Sequence, residues 1–250
     1  MLHRVSIQST AGIVVLLGMF CGTGVFAQQS PAAQAPAGEA RPGVGPAPLF
    51  LRVEWVRTPG QTAQAPMVQG NVVDSNVEVR CYGAAAKQLL TTGVPGSVVT
   101  PAGVWSGKCD GPFAITFKLK SSYVDLTDLA NVRWFVKTSG FHEVRPVVKL
   151  PDGTLLVADL AFTSIPMLTE SGFSLQGLRW LKLDPERIVT LGRTPAPNNE
   201  TWVPEPDLSK VDEVGFVDLM PGSGHGTGGY IQLGRIEIFG KPVSRTAASR

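Results

Sequence analysis

Apolar and polar residues alternate with a period of two in segment after segment of this chain, a pattern that suits half-buried β-strands and little else. In Leu49-Phe50-Leu51-Arg52-Val53-Glu54-Trp55, the residues Leu49, Leu51, Val53 and Trp55 share one face and Arg52 and Glu54 the other. Val77, Val79 and Cys81 alternate with Glu78, Arg80 and Tyr82. Phe113, Ile115, Phe117 and Leu119 oppose Thr116, Lys118 and Lys120, and Val132, Trp134 and Val136 oppose Arg133, Phe135 and Lys137.

The stretch from Glu143 to Leu160 reads as a hairpin. Its turn is Pro151-Asp152-Gly153, in which Pro presets φ and Gly accepts φ > 0. Pro146 inside the first arm cannot donate to a ladder, so it marks an edge position or a bulge. Further strands are expected in Arg179–Leu183, Asp212–Met220 and Tyr230–Gly240. The chain has 28 glycines and 20 prolines, which favour many turns, and its one helical signal, Leu126–Val132, is too short to nucleate a stable helix. Together these features predict an all-β, two-sheet sandwich or jelly roll.

The ends of the chain read differently. Residues 1–27 form a signal-peptide pattern: a basic start, an apolar run from Ala11 to Phe26, and small residues at Val25 and Ala27 for cleavage. The strongly apolar core, Ile13 to Phe20, is shorter than the ~20 residues that span a bilayer, which favours cleavage over an uncleaved anchor. Cys21 follows the bulky Phe20, so a lipoprotein site fits poorly. Residues 28–48, rich in Pro, Ala, Gly and Gln, have little to bury and read as a tether. The expectation is therefore a secreted or periplasmic protein with a β-sandwich at 49–243, a flexible tail at 244–250 and no membrane span after cleavage.

The formal net charge is +2 and no run of Lys or Arg offers a nucleic-acid footprint, so no nucleic-acid partner is expected. The mature chain keeps Cys81 and Cys109, an even number in an oxidising compartment. The preferred reading is a Cys81–Cys109 disulfide, contributing roughly 3–4 kcal/mol. A metal site and two free thiols are the alternatives.

The order of blocks carries a resemblance. Tyr123–Gly140 (YVDLTDLANVRWFVKTSG) resembles an Asp-Leu-Ser/Thr, short spacer, apolar–polar strand block of galactose-binding-like jelly rolls. Arg179–Pro185, Asp207–Phe216 and the closing strand Gly234–Val243 (GRIEIFGKPV) follow in the order seen in carbohydrate-binding modules and in the complex I intermediate-associated protein family. The resemblance covers Leu49 to Val243. It implies a two-sheet, galactose-binding-like jelly roll, non-catalytic, binding a glycan on a sheet face or in loops at one end. Many such domains hold a structural calcium, but no compact acidic cluster in this sequence matches such a site, and no other cofactor is implied.

Catalytic motifs are thin. The glycine-rich Pro221–Tyr230 lacks the Lys-Ser/Thr pair and following helix of a phosphate loop, and reads as a turn before a strand. No Gly-X-Ser-X-Gly elbow occurs in the mature chain, and His142 and His225 are its only histidines. No pair of carboxylates stands out as a glycosidase pair. Asn199-Glu200-Thr201 fits an N-glycosylation sequon, relevant only in a glycosylating host.

The polar faces of the strands are more informative. With both arms in one sheet, Arg133, Lys137, Arg145 and Lys149 are expected to share a side. Trp180 and Lys182 are expected to face outward, opposite Leu181 and Leu183. Arginine and lysine beside an aromatic ring can stack on a sugar and hydrogen-bond its hydroxyls or carboxylates. The expected ligand set is Arg133, Lys137, Arg145, Trp180 and Lys182, with a rival loop site at Trp105, Trp202 and His225. The function read from the sequence is a non-catalytic binding module for a glycan. The alternatives are a structural or protein-interaction domain facing an envelope component, and a hydrolase with an unrecognised site.

Overall fold

The computed structural model describes residues 46–191, 202–220 and 228–245. The signal segment, the tether up to residue 45, the sequon and His225 lie outside the described residues. The chain divides into Met1–Arg41, also outside them, and Pro42–Arg250, which carries the fold below.

Among the described residues fifteen strands follow in order: β1 (Leu49–Val53), β2 (Val77–Tyr82), β3 (Leu90–Thr92), β4 (Gly103–Trp105), β5 (Phe113–Leu119), β6 (Ser122–Asp125), β7 (Asn131–Gly140) and β8 (Arg145–Lys149). Then come β9 (Leu155–Ala158), β10 (Thr169–Ser174), β11 (Trp180–Leu183), β12 (Trp202–Val203), β13 (Glu213–Asp218), β14 (Gly229–Phe239) and β15 (Lys241–Ser244). The first sheet runs β10-β7-β14-β4-β3, with β1 also on β14; the second runs β12-β11-β9-β8-β13-β5-β2; β15 and β6 form a small ribbon. The chain crosses repeatedly between the two sheets, and they pack face to face as an antiparallel jelly-roll sandwich.

Alternation explains the core. Val132, Trp134 and Val136 of β7 and Ile231, Leu233, Ile236 and Ile238 of β14 meet Ile115 and Phe117 of β5, Phe216 of β13 and Leu156 of β9 in one apolar layer. Aromatic contacts lock it: Trp55 meets Phe117 edge-to-face at 5.9 Å, and Trp134 meets Phe162 edge-to-face at 5.1 Å and Phe173 at a tilt at 4.8 Å. A smaller cluster, including Val147, Val157, Leu183 and Ile188, covers part of the other face of the second sheet.

The Glu143–Leu160 hairpin forms as β8 and β9. However, β8 lies inside the second sheet, not at its edge. Pro146 is accommodated because β9 pairs only with Val147 to Lys149, leaving β8 locally unpaired on that side at the proline.

The expected Cys81–Cys109 disulfide is absent; both thiols are free. Cys81 is exposed on the edge strand β2, whereas Cys109 is sealed in the core, its thiol donating to the Ala85 carbonyl at 3.4 Å. Burial pushes both thiols up, Cys81 to about 11 and Cys109 to about 12, so what separates them is access: Cys81 is exposed and Cys109 is buried. Native protein should therefore take one equivalent of a maleimide at Cys81, and a second at Cys109 only after denaturation. A linked pair in non-reducing peptide maps would contradict this arrangement.

Candidate functional site

The outward face of the first sheet is built by a break in the alternation. On β14, Leu233 and Ile236 both turn inward, and between them Gly234 and Arg235 together oppose the single residue Phe135 of β7. This is a β-bulge, and it returns Arg235 to the outer face. The bulge falls where the other edge of β14 changes partner, from β4 (Gln232, Leu233) to β1 (Ile236 to Phe239). A Cβ on Gly234 would come within 3.1 Å of the Phe135 Cβ, so the tight approach favours glycine. The buried Trp55 indole N–H pins the bulge by donating to the Gly234 carbonyl at 2.8 Å.

The result is a row of cations laid over rings. The Arg235 guanidinium sits 5.0 Å from the Phe135 centroid, Arg133 5.3 Å from Phe239, and the Lys137 ammonium 5.3 Å from Tyr230. Two carboxylates bind the guanidiniums together. Glu237, whose side chain is only 5 % exposed, accepts from Arg52 Nε at 3.0 Å and lies 3.5 Å from both Arg133 and Arg235. Glu170 on β10 reaches Arg133 at 3.3 Å and Arg235 at 3.7 Å. Arg52, Arg133 and Arg235 each keep 40–49 % of the side chain open to solvent. The face is thus a fixed lattice of alternating donors and acceptors with apolar rings beneath.

Two shallow grooves border this lattice. One, about 240 Å³, adjoins Arg235 beside Glu54, Gly96 and Pro101; the other, about 400 Å³, holds Lys137, Ser139, Ser164 and Tyr230.

The structure divides the residue set expected from the sequence. Arg133 and Lys137 share this outer face. Arg145 does not, because β7 and β8 belong to opposite sheets. Arg145 instead lies on the outer side of the second sheet, where its Nε donates to Glu143 at 2.6 Å. Lys149 lies there too, donating to the Tyr82 hydroxyl at 2.9 Å and to the buried Glu213 at 3.3 Å.

Trp180 is a core residue, 1 % exposed, and Lys182 is exposed in the second sheet. The neighbouring Leu183 fills the smaller cluster instead. Both faces of β11 carry apolar cover at that point, so the alternation Trp-Leu-Lys-Leu is ambiguous by itself.

Of the rival loop site, Trp105 and Trp202 stand on strands of different sheets, and His225 lies outside the described residues. Trp105 is on β4, buried, with its ring edge-on to Tyr230 at 5.8 Å. Trp202 opens β12 with the Arg179 guanidinium 4.5 Å from its ring, beside an apolar cleft of about 530 Å³ walled by Leu126, Leu178 and Trp180.

The sequence reading missed Phe135, Arg235, Glu170 and Glu237. A signal was present for Arg235: the run Leu233-Gly234-Arg235-Ile236 breaks period two at a glycine, a mark of a bulge.

His142 and Asp218 form a buried pair, Nδ1 to Oδ2 2.6 Å, and burial holds the Asp218 carboxyl above its usual range. The fully buried Ser106 hydroxyl accepts from the Ile231 amide at 2.9 Å, so it is held in a backbone contact. Among the described residues no group of three or more His, Cys, Asp or Glu gathers as a metal-ligand set. No helix among them is long and apolar enough to cross a membrane.

No family model matches the chain, and no curated protein matches it. Among solved structures it is similar to the family 11 carbohydrate-binding module of the cellulosomal cellulase Lic26A-Cel5E of Clostridium thermocellum, at 14 % identity and a TM-score of 0.42, over 75 % of this chain and all of that one. The Clostridium thermocellum family 11 module in complex with a β-1,3-1,4-mixed-linked tetrasaccharide gives 14 % identity and a TM-score of 0.40, over 74 % of this chain and all of that one. An exo-β-agarase gives 11 % identity and a TM-score of 0.37, over 73 % of this chain and 25 % of the enzyme.

Proposed function

We propose that this chain is an exported, non-catalytic glycan-binding module whose site is the outer face of β7, β14 and β10. One observation carries the reading: Arg133 and Arg235 are held over the rings of Phe239 and Phe135 and bridged by Glu170 and Glu237, while 40–47 % of each arginine side chain stays open to solvent. A sugar presents rows of hydroxyls that both donate and accept. Guanidinium N–H groups donate to such oxygens and the carboxylates accept from them, and charge-assisted bonds of this kind are about twice as strong as neutral ones. Because the ion pairs already fix the side chains, little rotamer entropy remains to be lost on binding. The underlying rings add apolar area against the C–H faces of a sugar.

The test is isothermal titration against a panel of soluble neutral β-glucans and galactans, with product analysis after long incubation. Binding without new reducing ends is expected. Arg235→Ala should weaken binding about tenfold (~1.4 kcal/mol), close to the lower end of what one hydrogen bond to a charged group contributes, with the melting temperature nearly unchanged. Arg145→Ala, on the opposite sheet, should leave affinity as it was. Equal losses from both variants, or released oligosaccharide, would overturn the proposal.

A further inference from the structure

The two ends of this face differ in charge balance, and the difference bears on which glycan the site takes. At the Arg235 end every guanidinium is tied to a carboxylate: Arg52 to Glu237, Arg133 to Glu170 and Glu237, Arg235 to both. At the other end Lys137 has its ammonium over the Tyr230 ring, and among the described residues no carboxylate forms an ion pair with it. Among the described residues the groove that it enters is lined by no acidic side chain; Ser139, Gly140, Ser164, Pro166 and Tyr230 contribute its walls.

The groove is also built rather than incidental. Gly140 and Gly229 both take positive φ, +64° and +95°, and face each other at the end of the β7–β14 ladder. A Cβ on either would come within about 2.3 Å of the opposite strand's carbonyl, so only glycine permits this closure. Tyr230 is braced by the Trp105 edge, which fixes the ring beneath the ammonium.

Resting on the glycan-binding reading above, we infer that this groove is a subsite for an anionic sugar unit, one bearing a carboxylate or a sulfate. Lys137 supplies a point charge, which suits a single anionic group. The Ser139 and Ser164 hydroxyls supply neutral donors to its remaining oxygens, and Tyr230 offers the sugar ring an apolar contact. The carboxylate-tied Arg235 end meets the uncharged hydroxyls of the neighbouring units. The assignment places the preferred ligand among acidic or sulfated polysaccharides.

Two matched pairs test it. The uronate pair is polygalacturonate and its fully methyl-esterified form. The sulfate pair is a sulfated galactan and the same polymer after chemical desulfation. Affinity electrophoresis at low salt should show the charged member of at least one pair retarded about tenfold more strongly than its neutral partner, and the pair that responds identifies the anion. In Lys137→Gln that ratio should fall to near one, while Lys137→Arg should retain it. Lys87→Gln, on the 3₁₀ turn Ala84–Gln88 beside β5, controls for bulk charge and should retain the ratio as well. Melting curves confirm that each variant is folded. A ratio near one in the unmodified protein, or an undiminished ratio in Lys137→Gln, overturns the anionic subsite while neutral binding still stands. Failure of every polymer to bind removes both readings.

Discussion

Replacing Trp180 with alanine is expected to lower the stability of the domain by about 3–5 kcal/mol, the range for deleting a large aromatic from a packed core. The side chain is 1 % exposed and lies in the main core. β11 pairs with β9 on one side and with the two-residue β12 on the other, so little backbone is available to close the cavity. The midpoint of urea unfolding should drop accordingly, and the melting temperature should fall by roughly 10 °C or more for a domain of this size. Trp202→Ala gives the contrast. Trp202 is half-buried under Arg179 at the rim of a cleft, and its truncation should cost far less. Trp180→Ala protein as stable as the parent would mean that the tryptophan faces outward after all. Any loss of glycan binding in Trp180→Ala should track unfolding and vanish where the variant is still folded.

The second large effect is expected at Glu237. This one carboxylate, nearly buried, forms ion pairs with three guanidiniums from β1, β7 and β14. Among the described residues, Glu237→Ala leaves Arg133 and Arg235 with Glu170 as their ion-pair partner and Arg52 with none, and the like charges repel. Hydrogen bonds to charged groups contribute about 1.5–3 kcal/mol, so a stability loss of that order should appear, largest at low ionic strength because salt screens the repulsion. Affinity for neutral glycans should fall by more than the tenfold expected for Arg235→Ala, since both arginines lose their fixed orientation. Glu237→Gln keeps an acceptor and the shape, and should recover part of the binding. The added signature is the salt response: raising sodium chloride should partly restore the stability of Glu237→Ala while leaving the parent little changed. A variant with parental stability and affinity would show the arginines to be held by the rings alone.

Much of the sandwich was legible because strand alternation is a local property. Phe113, Ile115 and Phe117 share a face whatever lies around them, and so do Val132, Trp134 and Val136; both sets line the core. The Pro151-Asp152-Gly153 turn likewise follows from backbone chemistry alone. Trp180 shows the limit. A strand with apolar cover on both faces gives no period to read, so whether Trp180 or Leu183 joins the main core depends on what the second sheet packs against on each side.

The sequence by itself determined which residues face opposite ways along each strand, and hence that Arg133, Phe135 and Lys137 leave the core together. It did not determine which strands become neighbours, because pairing joins segments far apart in the chain and depends on the packing of the whole. Only the tertiary structure placed β7 and β8 in opposite sheets, separating Arg133 from Arg145. It alone brought Glu170, Arg235 and Glu237 alongside Arg133, from strands distant in sequence. The cysteines followed the same rule: two thiols in one chain say nothing of the space between them, and the fold sealed Cys109 in the core while leaving Cys81 on an edge strand.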